Sequence, residues 1–174
     1  KRKLSALRSF YKFLLQQKKV NRDITARIIS PKADKPLPVF FKQSEMQAVT
    51  AMDNWADTFE SIRDCYIIEV FYQTGMRRAE LLSLQDNDWD LKQGQVRIFG
   101  KRSKERIVPI GENLIRQIKQ YIEARTEWME CEVAPAFFVR KNQQGIVVPL
   151  NQHSLYTIVR TRMGEVSTLK KHSP

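Results

Sequence analysis

Two short stretches of this sequence set cations, a carboxylate and turn-forming glycines at spacings that can bind and activate a phosphate. The first is Thr74-Gly75-Met76-Arg77-Arg78-Ala79-Glu80-Leu81. Gly75 can end one helix in the left-handed conformation and let another begin, so Arg77 falls at a helix N-terminus, where NH groups and the dipole favour an anion. A guanidinium there can grip two oxygens of one phosphate with its fork of donors. Glu80 lies three residues on, shares the helical face of Arg77 and can hold its orientation. Taken alone, these residues also suit a surface Arg–Glu helix pair, which contributes little.

The second stretch is Gly100-Lys101-Arg102-Ser103-Lys104-Glu105-Arg106-Ile107-Val108-Pro109. It puts Lys101 at the tip of a β-hairpin, with Lys104 and Arg106 close behind. A tip bearing an ammonium can enter a groove and meet a strand. A lysine whose pKa is lowered by crowding cations can give a proton to a departing alkoxide. A solvated basic hairpin, or one that only clamps phosphates, is the alternative for this segment in isolation.

The elements that must position these groups are legible from periodicity. Residues 1–20 form a helix, with Leu4, Leu7, Phe10, Tyr11, Leu14 and Leu15 at helical spacing and Lys3, Arg8, Lys12 and Lys18 between them. That apolar stripe has almost nothing N-terminal to pack on, so the chain is expected to start inside a larger helical domain. Residues 31–42 carry Pro31, Pro36 and Pro38 with Lys32, Lys35 and Lys42 and read as an extended linker, whose lysines suit a strap across a phosphate backbone or simple solvation. A second domain begins near Ser44, which with Gln47 can form a capping box for a helix to about Asp53. A helix from Phe59 to Gln73 follows, then Arg77 to Ser83. Strands are expected at Trp89–Leu91, Gln95–Phe99 and Glu105–Pro109, around a turn at Gln93-Gly94 and the loop from Gly100 to Lys104. Beyond them lie a helix from Asn113 to Arg125, a hairpin or loop pairing Phe137–Val139 with Ile146–Val148, and a last helix capped by Asn151.

The bulk numbers bound the partner. The 174 residues are 42% hydrophobic and 28% charged, which excludes a disordered or collagen-like chain. The longest apolar run, Cys65 to Tyr72, is broken by Glu69 and too short to span a bilayer. No signal peptide precedes it, and Cys65 and Cys131 have no metal spacing, so a cytoplasmic setting is expected. Thirty Lys and Arg against nineteen Asp and Glu leave a net charge of +11, which points to a polyanionic partner. The cations are spread over several elements rather than along one amphipathic helix, which favours nucleic acid over a membrane surface.

In combination, Thr-Gly-Met-Arg-Arg-Ala-Glu-Leu at 74–81 and Gly-Lys-Arg-Ser-Lys-Glu-Arg-Ile-Val-Pro at 100–109 resemble the tyrosine recombinase (phage integrase) family, in their order and in a spacing similar to that of its Xer-type members. Asp88-Trp-Asp-Leu91 with Gln93-Gly94 looks like the family's first strand and turn. Leu4-Ser-Ala-Leu7-Arg8-Ser-Phe10 looks like the end of its N-terminal core-binding domain, so nearly the whole chain is covered. The resemblance implies an α+β fold: a mostly helical catalytic domain with a small three-stranded antiparallel sheet, preceded by a remnant helix of the core-binding domain. The domains would be 1–30, the linker 31–42 and the catalytic part 43–174.

Carried over by position, Arg77 would bind a nonbridging oxygen of the scissile phosphate, Glu80 would support the site, and Lys101 would protonate the leaving 5′ oxygen. Lys32, Lys35, Arg78, Arg102, Lys104, Arg106, Arg8 and Lys12 would contact DNA. The family needs no metal or nucleotide cofactor, since its arginines carry the electrostatic work and the phosphodiester energy is kept in a 3′-phosphotyrosine. Its partner is double-stranded DNA, its intact members act as tetramers on two DNA sites in bacterial or phage-infected cytoplasm, and no membrane is involved. Members continue with His-x-x-Arg, a His or Trp, and then the nucleophilic Tyr. Here the sequence ends Lys170-Lys171-His172-Ser173-Pro174. His172 precedes the Ser-Pro pair and is not that histidine by position. His153 reads as a surface residue, and Tyr11, Tyr66, Tyr72, Tyr121 and Tyr156 all lie in expected helices, none in the nucleophile's place. The fragment is therefore expected to be catalytically incomplete and monomeric or weakly associated. A DNA-binding module that does no chemistry is the competing expectation, and a basic RNA-assembly protein a third; a reading frame continuing into His-x-x-Arg and Tyr would favour the enzyme.

Overall fold

The computed structural model describes residues 2–29, 42–51, 58–100, 104–129, 134 and 136–166. The chain divides into two compact units, Lys1–Val39 and Phe40–Pro174.

In the first unit, helix α1 (Arg2–Gln16) buries none of its residues, and Leu7, Phe10 and Phe13 stand about half exposed. The expected helix to residue 20 stops earlier because Lys18 takes a left-handed φ of 53°. The Lys19 NH then reaches the Leu14 carbonyl and the Lys18 NH the Leu15 carbonyl, each at 3.0 Å, which closes the helix as a Schellman turn. A lysine does here what glycine usually does.

The second unit is a mostly helical α+β domain. Helix α2 (Gln43–Thr50) starts one residue before Ser44, and its cap differs from the expected Ser44–Gln47 box: the Lys42 NH donates to the Glu45 carboxylate at 2.7 Å. A charged acceptor outcompetes the neutral amide. Helix α3 (Phe59–Thr74) carries eight consecutive buried residues, Arg63 to Val70. Such burial on all sides marks a central helix rather than a one-faced one, and α2, α5 and α6 pack around it. Gly75 ends α3 with φ 59°, and α4 (Arg78–Leu82) begins three residues later.

Strands β1 (Trp89–Asp90), β2 (Gln95–Phe99) and β3 (Glu105–Pro109) form an antiparallel meander in the order β1-β2-β3. Val96 and Ile98 of β2 point into the core, and Arg97 and Phe99 point out. In register, Val96 faces Val108 and Ile98 faces Arg106, so Arg106 stands on the inward row of β3. Helix α5 (Glu112–Met129) runs a turn past the expected end because Trp128 stacks on Phe59 and Met129 is buried. Strands β4 (Val139–Lys141) and β5 (Val147–Pro149) make the second hairpin. It begins at Val139 rather than Phe137, because Phe137 bonds elsewhere: its NH to the Leu84 carbonyl at 2.9 Å, its carbonyl to the Tyr121 hydroxyl at 3.0 Å. Helix α6 (Gln152–Val166) is capped by Asn151, whose side-chain oxygen accepts from the Ser154 NH. Its Leu155, Ile158, Val159 and Met163 close the core.

Candidate functional site

Glu80 is the anchor of the site. The break at Gly75 leaves Arg77 as the residue preceding α4, in extended conformation, with Glu80 one turn on. The Arg77 NH donates to Glu80 Oε2 at 2.7 Å, and Arg77 Nη1 donates to Oε1 at 2.9 Å. The carboxylate thus satisfies an orphan helix NH and fixes the arginine with the same two oxygens. A second guanidinium arrives from β3: Arg106 Nη1 donates to Oε1 at 2.9 Å and Nη2 to Oε2 at 2.8 Å. This is a bidentate fork.

Exposure is strongly asymmetric. The Glu80 side chain is 4% exposed, Arg106 39% and Arg77 76%. The Arg106 hydrogen bonds, aided by those from Arg77, hold the Glu80 carboxyl far below its ordinary range, at about 2, against the opposing effect of burial. Glu80 in turn raises the Arg106 pKa. Two cations share one anion, so the cluster keeps a net positive charge, and among the described residues Arg77 Nε and Nη2 have no hydrogen-bond partner.

The base of the β2–β3 hairpin closes over this cluster. The Gly100 NH donates to the Lys104 carbonyl at 2.7 Å. A Cβ on Gly100 would lie a tight 3.3 Å from that carbonyl oxygen, so glycine eases the closure of the ribbon, and at ordinary contact distance, 3.5 Å, from Glu80 Oε1. Arg77, Gly100, Lys104, Glu105 and Arg106 line one cleft of about 510 Å³. The cleft offers guanidinium and ammonium donors to an oxyanion. Among the described residues no group of three or more His, Cys, Asp or Glu could hold a metal ion.

Other residues singled out in the sequence fall elsewhere. Arg78 is exposed at the start of α4 and borders, with Arg77, Tyr72, Met76 and Met163, a separate apolar groove of about 660 Å³. Arg8 and Lys12 belong to the first unit, where they line a shallow cleft with Asp23, and Arg8 donates to the Ile28 carbonyl at 2.7 Å. Lys101 and Arg102 lie outside the described residues, as do Lys32, Lys35 and His172. His153 is exposed in the first turn of α6. Tyr66 and Tyr121 are buried with their hydroxyls donating to Gln120 and Phe137, and burial pushes both phenols up. Cys65 is a buried free thiol raised by burial to about 12, inert as a nucleophile at neutral pH.

Sequence reasoning missed the tie between Arg106 and Glu80. No local pattern gave it away: Ile107 and Val108 are both apolar, and only the pairing of Ile98 with Arg106 sets Arg106 on the inward row, where a cation needs a counter-charge.

Comparison with known proteins gives a consistent answer. Residues 40–173 match the phage integrase family. The chain is 32% identical over 172 residues to tyrosine recombinase XerD of Staphylococcus saprophyticus, covering 98% of this chain and 57% of that protein. It is 36% identical over 173 residues to tyrosine recombinase XerD of Shewanella oneidensis, covering 99% and 57%. It therefore spans little more than half the length of these curated relatives. Among solved structures, XerA recombinase superposes with a TM-score of 0.61 at 21% identity, over 98% of this chain and 55% of that one. The XerH site-specific recombinase bound to difH substrate, in a pre-cleavage complex, gives 0.65 at 23% identity over 92% and 47%. These likenesses establish the shared fold.

Proposed function

The chain belongs to the phage integrase family of tyrosine recombinases, and we propose from this premise that it carries the phosphate-binding half of the active site of a site-specific DNA recombinase. The observation that carries the reading is one cleft lined by Arg77 and by both residues, Gly100 and Lys104, that flank the segment bearing Lys101. Arg77, steadied by Glu80, turns its unengaged donors to a nonbridging oxygen of the scissile phosphate and stabilises the charge that grows there. A tyrosine oxygen gives up its proton to a base and bonds to phosphorus as the bond to the 5′ oxygen breaks; the 5′ oxygen leaves with the electron pair and takes a proton from Lys101. The phosphodiester energy stays in the 3′-phosphotyrosine, so religation needs neither nucleotide nor metal.

The remaining basic groups bind rather than react. Arg78 and Lys104 in the second unit, Arg102 in the segment between β2 and β3, Arg8 and Lys12 on α1, and Lys32 and Lys35 in the linker 31–42 neutralise phosphates along the duplex. Residues 1–30 belong to a core-binding domain, 31–42 to a linker and 43–174 to the catalytic domain. The complete protein acts in the cytoplasm of a bacterium or phage-infected cell, as a tetramer on two DNA sites, whereas these 174 residues are monomeric or weakly associated.

These residues alone supply no second active-site arginine box and no tyrosine in the nucleophile's place. A half-site suicide duplex is expected to give no covalent adduct with the 174-residue chain and a stable one with the protein translated from the whole reading frame. An adduct with the short chain, abolished by Tyr72→Phe, would overturn the incompleteness. Lack of an adduct with both would leave a DNA-binding module without chemistry. In the active protein Lys101→Ala should slow cleavage by about 10²-fold or more at a 5′-oxygen leaving group and much less at a 5′-sulfur one, which leaves without a proton. Equal losses would remove Lys101 from the acid's role.

A further inference from the structure

We infer that Arg106 is a positioning residue for the leaving-group step: through Glu80 it fastens the lysine-bearing hairpin to the shelf that holds Arg77. The inference rests on the recombinase reading above and gives Arg106 a task other than the phosphate contact expected from sequence.

Arg106 stands on the inward row of β3, opposite Ile98, which is fully buried. Its side chain bonds to α4 at Glu80, and its two terminal nitrogens each donate to one carboxylate oxygen. The same two oxygens receive the Arg77 backbone NH and side chain. One rigid, planar group therefore links strand β3, through Glu80, to the residue before α4. A lysine at this position could make only a single-point contact.

The strand is short on the far side of that link. Glu105 pairs with Phe99, and Gly100 bonds back to Lys104, so only Glu105 separates Arg106 from the end of the loop that carries Lys101. Gly100, on the other arm, lies near the same carboxylate: a Cβ there would stand at ordinary contact distance, 3.5 Å, from Glu80 Oε1. A proton donor must sit within hydrogen-bond reach of the atom that leaves, and a misplacement of about 1 Å can cost on the order of 10²-fold. Fixing the β3 arm of the ribbon, through Glu80, to the residue that holds the phosphate is a direct way to meet that tolerance. Both Arg106 terminal nitrogens are aimed at Glu80, and the Arg106 side chain is 39% exposed against 76% for Arg77, which turns more of its donors outward.

The test uses the protein translated from the whole reading frame and compares cleavage of matched duplexes with a 5′-oxygen or a 5′-sulfur leaving group. Arg106→Ala is expected to reduce the oxygen-to-sulfur rate ratio by about tenfold or more. Arg106→Lys should restore part of that ratio. In a Lys101→Ala background, Arg106→Ala should change the ratio no further, because the group it positions is gone. Cleavage of the sulfur substrate in each preparation reports that the variant is folded and binds DNA. Equal slowing of both substrates by Arg106→Ala would overturn the inference and return Arg106 to general phosphate binding or stability. If instead wild type cleaves neither substrate, or Lys101→Ala leaves the ratio unchanged, the recombinase reading or the acid's identity fails, and the positioning role falls with it.

Discussion

Two arginine–carboxylate networks in the second unit use the same chemical groups with opposite exposure. Around Glu80 the acid is buried and the bases face outward, at 4% against 76% and 39% exposure. Around Arg125 the base is buried and the acid faces outward: Arg125 is 3% exposed and Asp86 50%. Arg125 forks onto Asp86 at 2.8 and 2.6 Å, bonds the Phe137 carbonyl at 2.9 Å, and lies over the Tyr121 and Phe137 rings. Its donors point into the aromatic core and hold the chain entering β4. The orientation of each pair separates the roles. A buried acid presents cations to solvent and can receive an anion; a buried base turns its terminal nitrogens to the protein.

The comparison predicts opposite mutational signatures, and the largest is at Arg77. In the active protein, Arg77→Ala should lower the cleavage rate by about 10³-fold, roughly 4 kcal/mol of transition-state stabilisation. The unfolding free energy of the 174-residue chain in urea should change by no more than about 0.5 kcal/mol, because the side chain is mostly solvated. A stability loss as large as the catalytic one would make Arg77 structural and erase the distinction. Next comes Asp86→Asn, which keeps shape but strands Arg125 without its counter-charge in the core. It should cost about 3 kcal/mol in urea unfolding. A cost below about 1 kcal/mol, the range of exposed pairs, would mean that burial of the base does not decide the energetics.

The two networks were not equally legible in the sequence. Arg77 and Glu80 were readable because their relation is local: a glycine break fixes the helix start, and i,i+3 spacing puts the acid beneath the base. The three-stranded sheet was readable from its turns for the same reason. Arg106 was visible as a cation on a hairpin, but its direction was not, because Ile107 and Val108 are both apolar and leave the alternation without a phase. Only the pairing of Ile98 with Arg106 sets that row inward. Arg125 follows Leu114, Ile118 and Tyr121 along the buried face of α5, a phase the periodicity does contain. Its partner Asp86 is 39 residues away in sequence, and no local rule names it. The end of α1 escaped for another reason: Lys18 adopts a backbone conformation that its residue type disfavours.

The smallest effect is a pH dependence, and it isolates the acid of the functional network. The Glu80 carboxyl is lowered from 4.5 to about 2, first by the Arg106 hydrogen bonds. A depressed folded-state pKa adds stability that is fully present above the unfolded value and is lost as pH falls through the folded one. The window is therefore pH 4.5 down to about 2, and stability must decline across it as acid is added. A shift of this size sets a ceiling of about 3 kcal/mol. Because both guanidinium partners are more than one-third exposed, screening should reduce it to about 1 kcal/mol. Glu80→Gln removes the titrating group but keeps one acceptor, so its urea stability should fall less steeply than wild type between pH 5 and pH 3. The difference between the two proteins cancels the titration of the other carboxylates. Parallel declines would mean that the arginines do not hold Glu80 ionised, and that the buried acid is not what turns Arg77 and Arg106 toward solvent as cations.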